Sequence, residues 1–99
     1  MAAAPLSDDQ IQQHLQKLPG WAVQDHVLRK TFWFPSFSKS MEFVNQLAEM
    51  AESVNHHPDI DIRYDKVTIG LTTHDAGGIT QNDVEMAASA DDVAGRAGG

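Results

Sequence analysis

The stretch Asn55-His56-His57-Pro58-Asp59-Ile60-Asp61-Ile62-Arg63-Tyr64-Asp65-Lys66-Val67-Thr68-Ile69-Gly70-Leu71 decides the fold. Ile60, Ile62 and Tyr64 alternate with Asp59, Asp61 and Arg63, the period-two pattern of a half-buried strand. Tyr64-Asp65-Lys66 reverses the chain, and Val67, Ile69 and Leu71 resume the alternation at once. The two runs predict an antiparallel hairpin. Pro58 has a second consequence, since the residue before a proline is driven out of helical geometry. Any helix arriving from upstream must die into Asn55-His56-His57.

Such a helix is predicted immediately upstream. Phe37, Met41, Val44, Leu47, Ala48, Ala51 and Val54 recur at spacings of three and four, with Pro35-Ser36 resetting the chain and Ser36 or Ser38 as cap. Before it, Val27 to Phe34 is rich in β-branched and aromatic residues and reads as a strand. A shorter strand from Trp21 to Val23 precedes it, across a turn near Gln24-Asp25-His26. At the front, Ser7 with Gln10 forms a capping-box pattern for a short helix carrying Ile11, Leu15 and Leu18, which Pro19-Gly20 stops. Downstream of the hairpin, Asp75-Ala76-Gly77-Gly78 is a loop, and Thr80-x-x-Asp83 caps a last helix through Val84, Ala87, Ala88 and Val93. Residues 1–6 and 94–99 are expected to fray.

The element order is α-β-β-α-β-β-α. It implies an α+β, two-layer, single domain over residues 1–99: a four-stranded antiparallel sheet with three helices on one face. Such a sheet has open edges, and edge pairing between subunits is a route to an oligomer.

With 99 residues the chain supports one core rather than two. It has no cysteine, which removes disulfides, thiolate metal sites and a cysteine nucleophile. Its formal charge of −7 argues against a nucleic-acid or anionic-membrane surface as the main partner. No stretch approaches the ~20 apolar residues of a membrane span. The opening Met1-Ala2-Ala3-Ala4-Pro5 lacks the basic flank and apolar run of a secretion signal, so a cytoplasmic location is expected. There is no phosphate loop, dinucleotide fingerprint or nucleophile elbow.

What remains is histidine. His56 and His57 follow the long helix, His74 ends the fourth strand, and Asp83 opens the last helix. Imidazole exchanges protons near neutral pH, so two or three converging in a cleft suit general acid–base catalysis. Each residue has a plainer reading beside this one. The His-His pair before proline also reads as a polar loop, Glu52 as a solvated helix residue, Asp83 as a helix cap and Trp21 as core. His74 shares the parity of Thr68, Gly70 and Thr72, which points it away from the side buried by Val67, Ile69 and Leu71 unless the strand ends first. A zinc or iron site is the chemical rival, although adjacent histidines are not the i, i+4 pair of helical metal sites. His14 and His26 are read as surface residues.

The spacing Glu52-x3-His56-His57-Pro58-x5-Tyr64-x9-His74-x8-Asp83 resembles the signature of the pterin-4a-carbinolamine dehydratase family, known also as the dimerisation cofactor of a hepatocyte nuclear factor. Pro19-Gly20-Trp21 and Lys30-x-Phe32-x-Phe34-x-x-Phe37 extend the likeness, which runs from Leu6 to Ala90. The resemblance implies dehydration of 4a-hydroxytetrahydrobiopterin to quinonoid dihydropterin, in tetrahydrobiopterin recycling, without metal or other cofactor. It implies His56 and His74 as the proton-transfer pair and His57 as an orienting or substrate-binding partner. Glu52 would hold a histidine or the pterin, Trp21 would flank the ring, and Asp83 would orient His74 or shape the pocket. The expected partners are the small-molecule pterin, an aromatic amino-acid hydroxylase in the pathway, and further copies in a homodimer or homotetramer. Asn55 departs from the pattern, since many animal members carry an acid there, and it is assigned no catalytic role. A different class stays open: an interaction module that stabilises a partner's dimer, as some animal relatives do.

Overall fold

A computed structural model describes residues 4–98. Its elements follow the predicted order: α1 (Asp8–Leu15), β1 (Ala22–Gln24), β2 (Val27–Trp33), α2 (Phe37–Val54), β3 (Asp59–Arg63), β4 (Lys66–Leu71) and α3 (Gln81–Arg96), with one 3₁₀ turn at His74–Ala76. The strands form one antiparallel sheet in the order β1-β2-β4-β3. Two local hairpins, β1–β2 and β3–β4, are thus joined through a long-range pairing of β2 with β4.

Register explains the two faces. Leu28 pairs Leu71, Lys30 pairs Ile69 and Phe32 pairs Val67, while Ile60 and Ile62 oppose Ile69 and Val67 on the outer strand. Leu28, Phe32, Val67, Ile69 and Leu71 are buried beneath the helices. The alternate set, including Thr31, Trp33, Asp61 and Arg63, faces outward. The helical layer covers one face, as the sequence pattern anticipates.

The local signals act as expected at most ends. Ser7 and Gln10 form their capping box, as do Thr80 and Asp83, and Ser36 caps α2 by accepting from the Lys39 amide at 3.2 Å. The chain reverses between Arg63 and Lys66 through Tyr64 and Asp65, with Tyr64 at φ 56°.

One expectation needs correction. It concerns the ends. α3 continues to Arg96, and Ala94 and Ala97 are buried, because they extend the small-residue stripe of Ala87 and Ala90 that lets the helix lie close to its neighbours. At the front, the Leu6 amide bonds the Ile79 carbonyl at 2.8 Å and its side chain packs on the core. Residues 1–3 and 99 of the segments expected to fray lie outside the described residues.

α2 turns only part of its apolar pattern to the sheet. Its buried residues are Ser40, Phe43, Leu47 and Ala51, whereas Phe37 is 49% exposed and Val54 is 59% exposed. Phe37, Met41 and Ala48 form a flanking stripe. Phe43 instead sits at the centre of an aromatic cluster, with ring centroids 5.0 Å from Phe32 and 5.0 Å from Phe34.

The end of α2 is set by Asn55, which adopts a left-handed conformation at φ 52°, ψ 44°. Its amide bonds back into the last turn, and the His56 amide reaches the Ala51 carbonyl at 3.0 Å. This closure satisfies carbonyls that the helix end leaves open. Asn tolerates the left-handed region better than other residues with a side chain beyond glycine. We expect Asn55→Val to lower stability by about 1–2 kcal/mol. Asn55→Gly should be close to neutral. Urea unfolding of the two variants checks the pair.

Candidate active site

The left-handed turn at Asn55 throws the chain sharply off α2, so His56 and His57 leave the helix end on the way to β3. β3 begins at Asp59, opposite Gly70. The same end of β4 leads through Leu71 to Thr72, Thr73 and His74, so the two histidine segments meet at one rim of the sheet. β4 ends at Leu71, and His74 belongs to the 3₁₀ turn that follows, closed by Gly77 at φ 77°. The strand thus ends before His74, so strand parity does not govern its side chain, which is exposed. His56, His57 and His74, with Asn55, Thr72, Thr73 and Asp75, line one depression of about 250 Å³.

Asp83 is fully buried and anchors this rim. Its Oδ1 lies 2.6 Å from His56 Nε2. Its Oδ2 accepts from the Thr80 amide at 2.9 Å and from the Thr73 hydroxyl at 2.8 Å. One carboxylate thus both caps α3 and holds His56, each oxygen serving a different partner. The resemblance implied that Asp83 orients His74 or shapes the pocket, and the histidine it bonds is His56. A carboxylate only accepts hydrogen bonds, so the ring nitrogen facing it carries hydrogen and Nδ1 of a neutral His56 is left with its lone pair.

The other residues differ in how firmly they are held. His57 Nε2 contacts Glu52 Oε2, both side chains being largely exposed. An exposed pair of this kind orients a ring and adds little to stability. Trp21 does not border the depression. It is buried in the core, edge-on to Phe32, and its Nε1 donates to Asp91, which also takes Lys30 Nζ at 2.8 Å. Tyr64, part of the spacing signature, lies at the opposite end of the β3–β4 hairpin and is 71% exposed.

Two further depressions adjoin the first. His56 borders a groove of about 180 Å³ between α2 and α3, whose walls include Met50, Val54 and Met86. His74 borders another of about 290 Å³, shared with Asp25 and His26 of the β1–β2 turn. Sequence reasoning gave His26 no role, yet its turn is held beside Thr72, whose hydroxyl donates to the His26 carbonyl at 3.2 Å. Thr73 was also missed. A hydroxyl residue one position before His74 carries no signal until its distant carboxylate partner is known. As for metal, no group of three or more His, Cys, Asp or Glu is disposed to hold an ion among the described residues.

Comparison with known proteins agrees with this fold. Residues 4–93 match the family model described as pterin 4 alpha carbinolamine dehydratase. A protein of Roseiflexus sp. (strain RS-1), provisionally named pterin-4-alpha-carbinolamine dehydratase, is 50% identical over 91 residues, covering 92% of this chain and 98% of its own. A crystal structure described as a transcriptional coactivator/pterin dehydratase from Brucella melitensis superposes with a TM-score of 0.88 at 32% identity, over 91% of this chain and 98% of that one. A pterin dehydratase-like protein identified as a RuBisCO assembly factor in the alpha-carboxysome aligns with a TM-score of 0.64 at 28% identity, over 76% of this chain and 87% of its own.

Proposed function

Since the chain belongs to the pterin 4 alpha carbinolamine dehydratase family, we propose that it dehydrates a 4a-hydroxytetrahydropterin by histidine acid–base chemistry. One observation carries this reading: His56 and His74 border the same depression, and His56 is held by a buried carboxylate through Nε2. The reaction needs two proton movements and no electron acceptor. The N5 lone pair expels the C4a hydroxyl, which takes a proton from His74 and departs as water. A C4a=N5 double bond forms as the N5 proton passes to His56 Nδ1. The product differs from the substrate by one water, and solvent restores the two imidazoles.

His57, steered by Glu52, then contacts the pterin rather than moving a proton. Trp21 acts as core, because its indole is buried and its N–H is already bonded. The same reading assigns the protein to tetrahydrobiopterin recycling in the cytoplasm, alongside an aromatic amino-acid hydroxylase, as a homodimer or homotetramer. Among the described residues no helix is long and apolar enough to cross a membrane.

The test is direct. A 4a-hydroxytetrahydropterin generated enzymatically and mixed with the protein should lose water faster than in buffer, by the ~10² to 10⁴ that positioned acid–base groups supply. A rate equal to that in buffer overturns the assignment.

A second reading is a partner-binding role. It is favoured by the half-exposed Phe37 on α2 and by the descriptions of the two structural neighbours, a coactivator/dehydratase and an assembly factor. The two readings are compatible, since the α2 flank and the histidine depression are separate surfaces.

A further inference from the structure

The Thr73 hydroxyl is the donor that ties the two histidine segments together. Its side chain donates to Asp83 Oδ2 at 2.8 Å and lies 2.9 Å from Thr80 Oγ1. A hydroxyl has one proton to give. With that of Thr73 committed to Asp83, the proton between the two threonines comes from Thr80. The order that follows is Thr80 O–H to Thr73, Thr73 O–H to Asp83, and Asp83 accepting from His56, because the direct reach from Thr80 Oγ1 to Asp83 Oδ2 is 3.5 Å against 2.8 Å from Thr73. The backbone of Thr73 meanwhile holds the turn that carries His74. Its amide bonds the Gly78 carbonyl at 3.0 Å, and its carbonyl accepts the Gly77 amide at 3.1 Å. One residue thus sets the carboxylate behind His56 and the backbone beneath His74.

We propose that Thr73 is a positioning residue that keeps His56 in its Nε2–H form and in register with His74. The proposal rests on the dehydratase reading for its catalytic consequence, but its physical core concerns the ring alone. Asp83 is fully buried, so water does not readily replace a lost donor. Without the Thr73 hydroxyl the carboxylate has one donor fewer, and its hold on the imidazole alters. Partners one step removed from the reacting groups change activity by about 10- to 100-fold when lost.

The experiment compares Thr73→Val, which matches threonine in shape, with Thr73→Ser, which retains the hydroxyl. Long-range ¹H–¹⁵N spectra of histidine-labelled protein report the His56 tautomer without substrate. Steady-state rates across pH report catalysis. We expect Thr73→Val to lower kcat about tenfold, with KM nearly unchanged, to displace the pH profile and to reduce the Nε2–H population. Thr73→Ser should restore all of these. Thr73→Ala serves if the valine variant does not fold. A wild-type tautomer signature in Thr73→Val or Thr73→Ala overturns the proposal, as does a serine variant as impaired as valine. A wild-type protein without dehydratase activity sinks the functional reading instead, and the spectra still decide what Thr73 does to His56.

Discussion

Replacing His74 by Ala is expected to lower kcat/KM for pterin-4a-carbinolamine dehydration by ~10² to 10⁴ while leaving the melting temperature nearly unchanged. The two halves of this result have different origins. His74 is exposed on a 3₁₀ turn, so truncation removes a proton carrier and little packing. His56 requires a different substitution. His56→Ala leaves the buried Asp83 short of a donor, and the loss of a partner from a buried carboxylate destabilises a fold whatever its chemistry. His56→Gln retains a donor amide and isolates the proton-transfer role, so a comparable loss of kcat with cooperative unfolding is expected. His57→Ala should act chiefly on KM, because His57 and Glu52 stand at the exposed margin. Wild-type kcat/KM in His74→Ala and His56→Gln would remove both residues from the mechanism. The same folded variants should still bind any protein partner that docks on α2, which separates the two readings of function.

The second large effect concerns stability. Phe43→Ala is expected to cost about 3–5 kcal/mol, the range for emptying a buried aromatic site. Phe43 is fully buried between Phe32 and Phe34, so its removal leaves a cavity that the sheet on one side cannot collapse to fill. For a domain of this size the melting temperature should fall by more than about 12 °C, at about 4–8 °C per kcal/mol. Phe37→Ala, six residues earlier on the same helix, should cost about 1 kcal/mol or less, since half of that ring already meets solvent. Thermal unfolding of the two variants reads the orientation of α2 directly. Equal losses would mean that the helix presents a different face to the sheet.

That contrast marks where local pattern ends. The apolar residues of α2 fall on more than one stripe, so periodicity establishes a helix without choosing which stripe the sheet covers. Only the opposing rings of Phe32 and Phe34 make the choice. Fraying was misjudged for a similar reason. Ala94 and Ala97 look like a weak tail by composition, but small side chains are what let α3 approach its neighbours closely, and that approach exists only in the folded chain.

By itself the sequence determined the element order, the α+β class, both capping boxes and the β3–β4 hairpin, because each rests on residues a few positions apart. It also determined the family, since the gaps from Glu52 to Asp83 are a property of the chain. Tertiary structure alone decided how the site is wired. Asp83 bonds His56 across 27 positions of sequence, Thr73 reaches Asp83 across ten, and His74 lines the same depression as the pair from a turn that begins after β4 stops at Leu71. Those contacts depend on the long-range pairing of β2 with β4 and on α3 lying against α2. No local preference specifies either arrangement, and only burial of the shared core does.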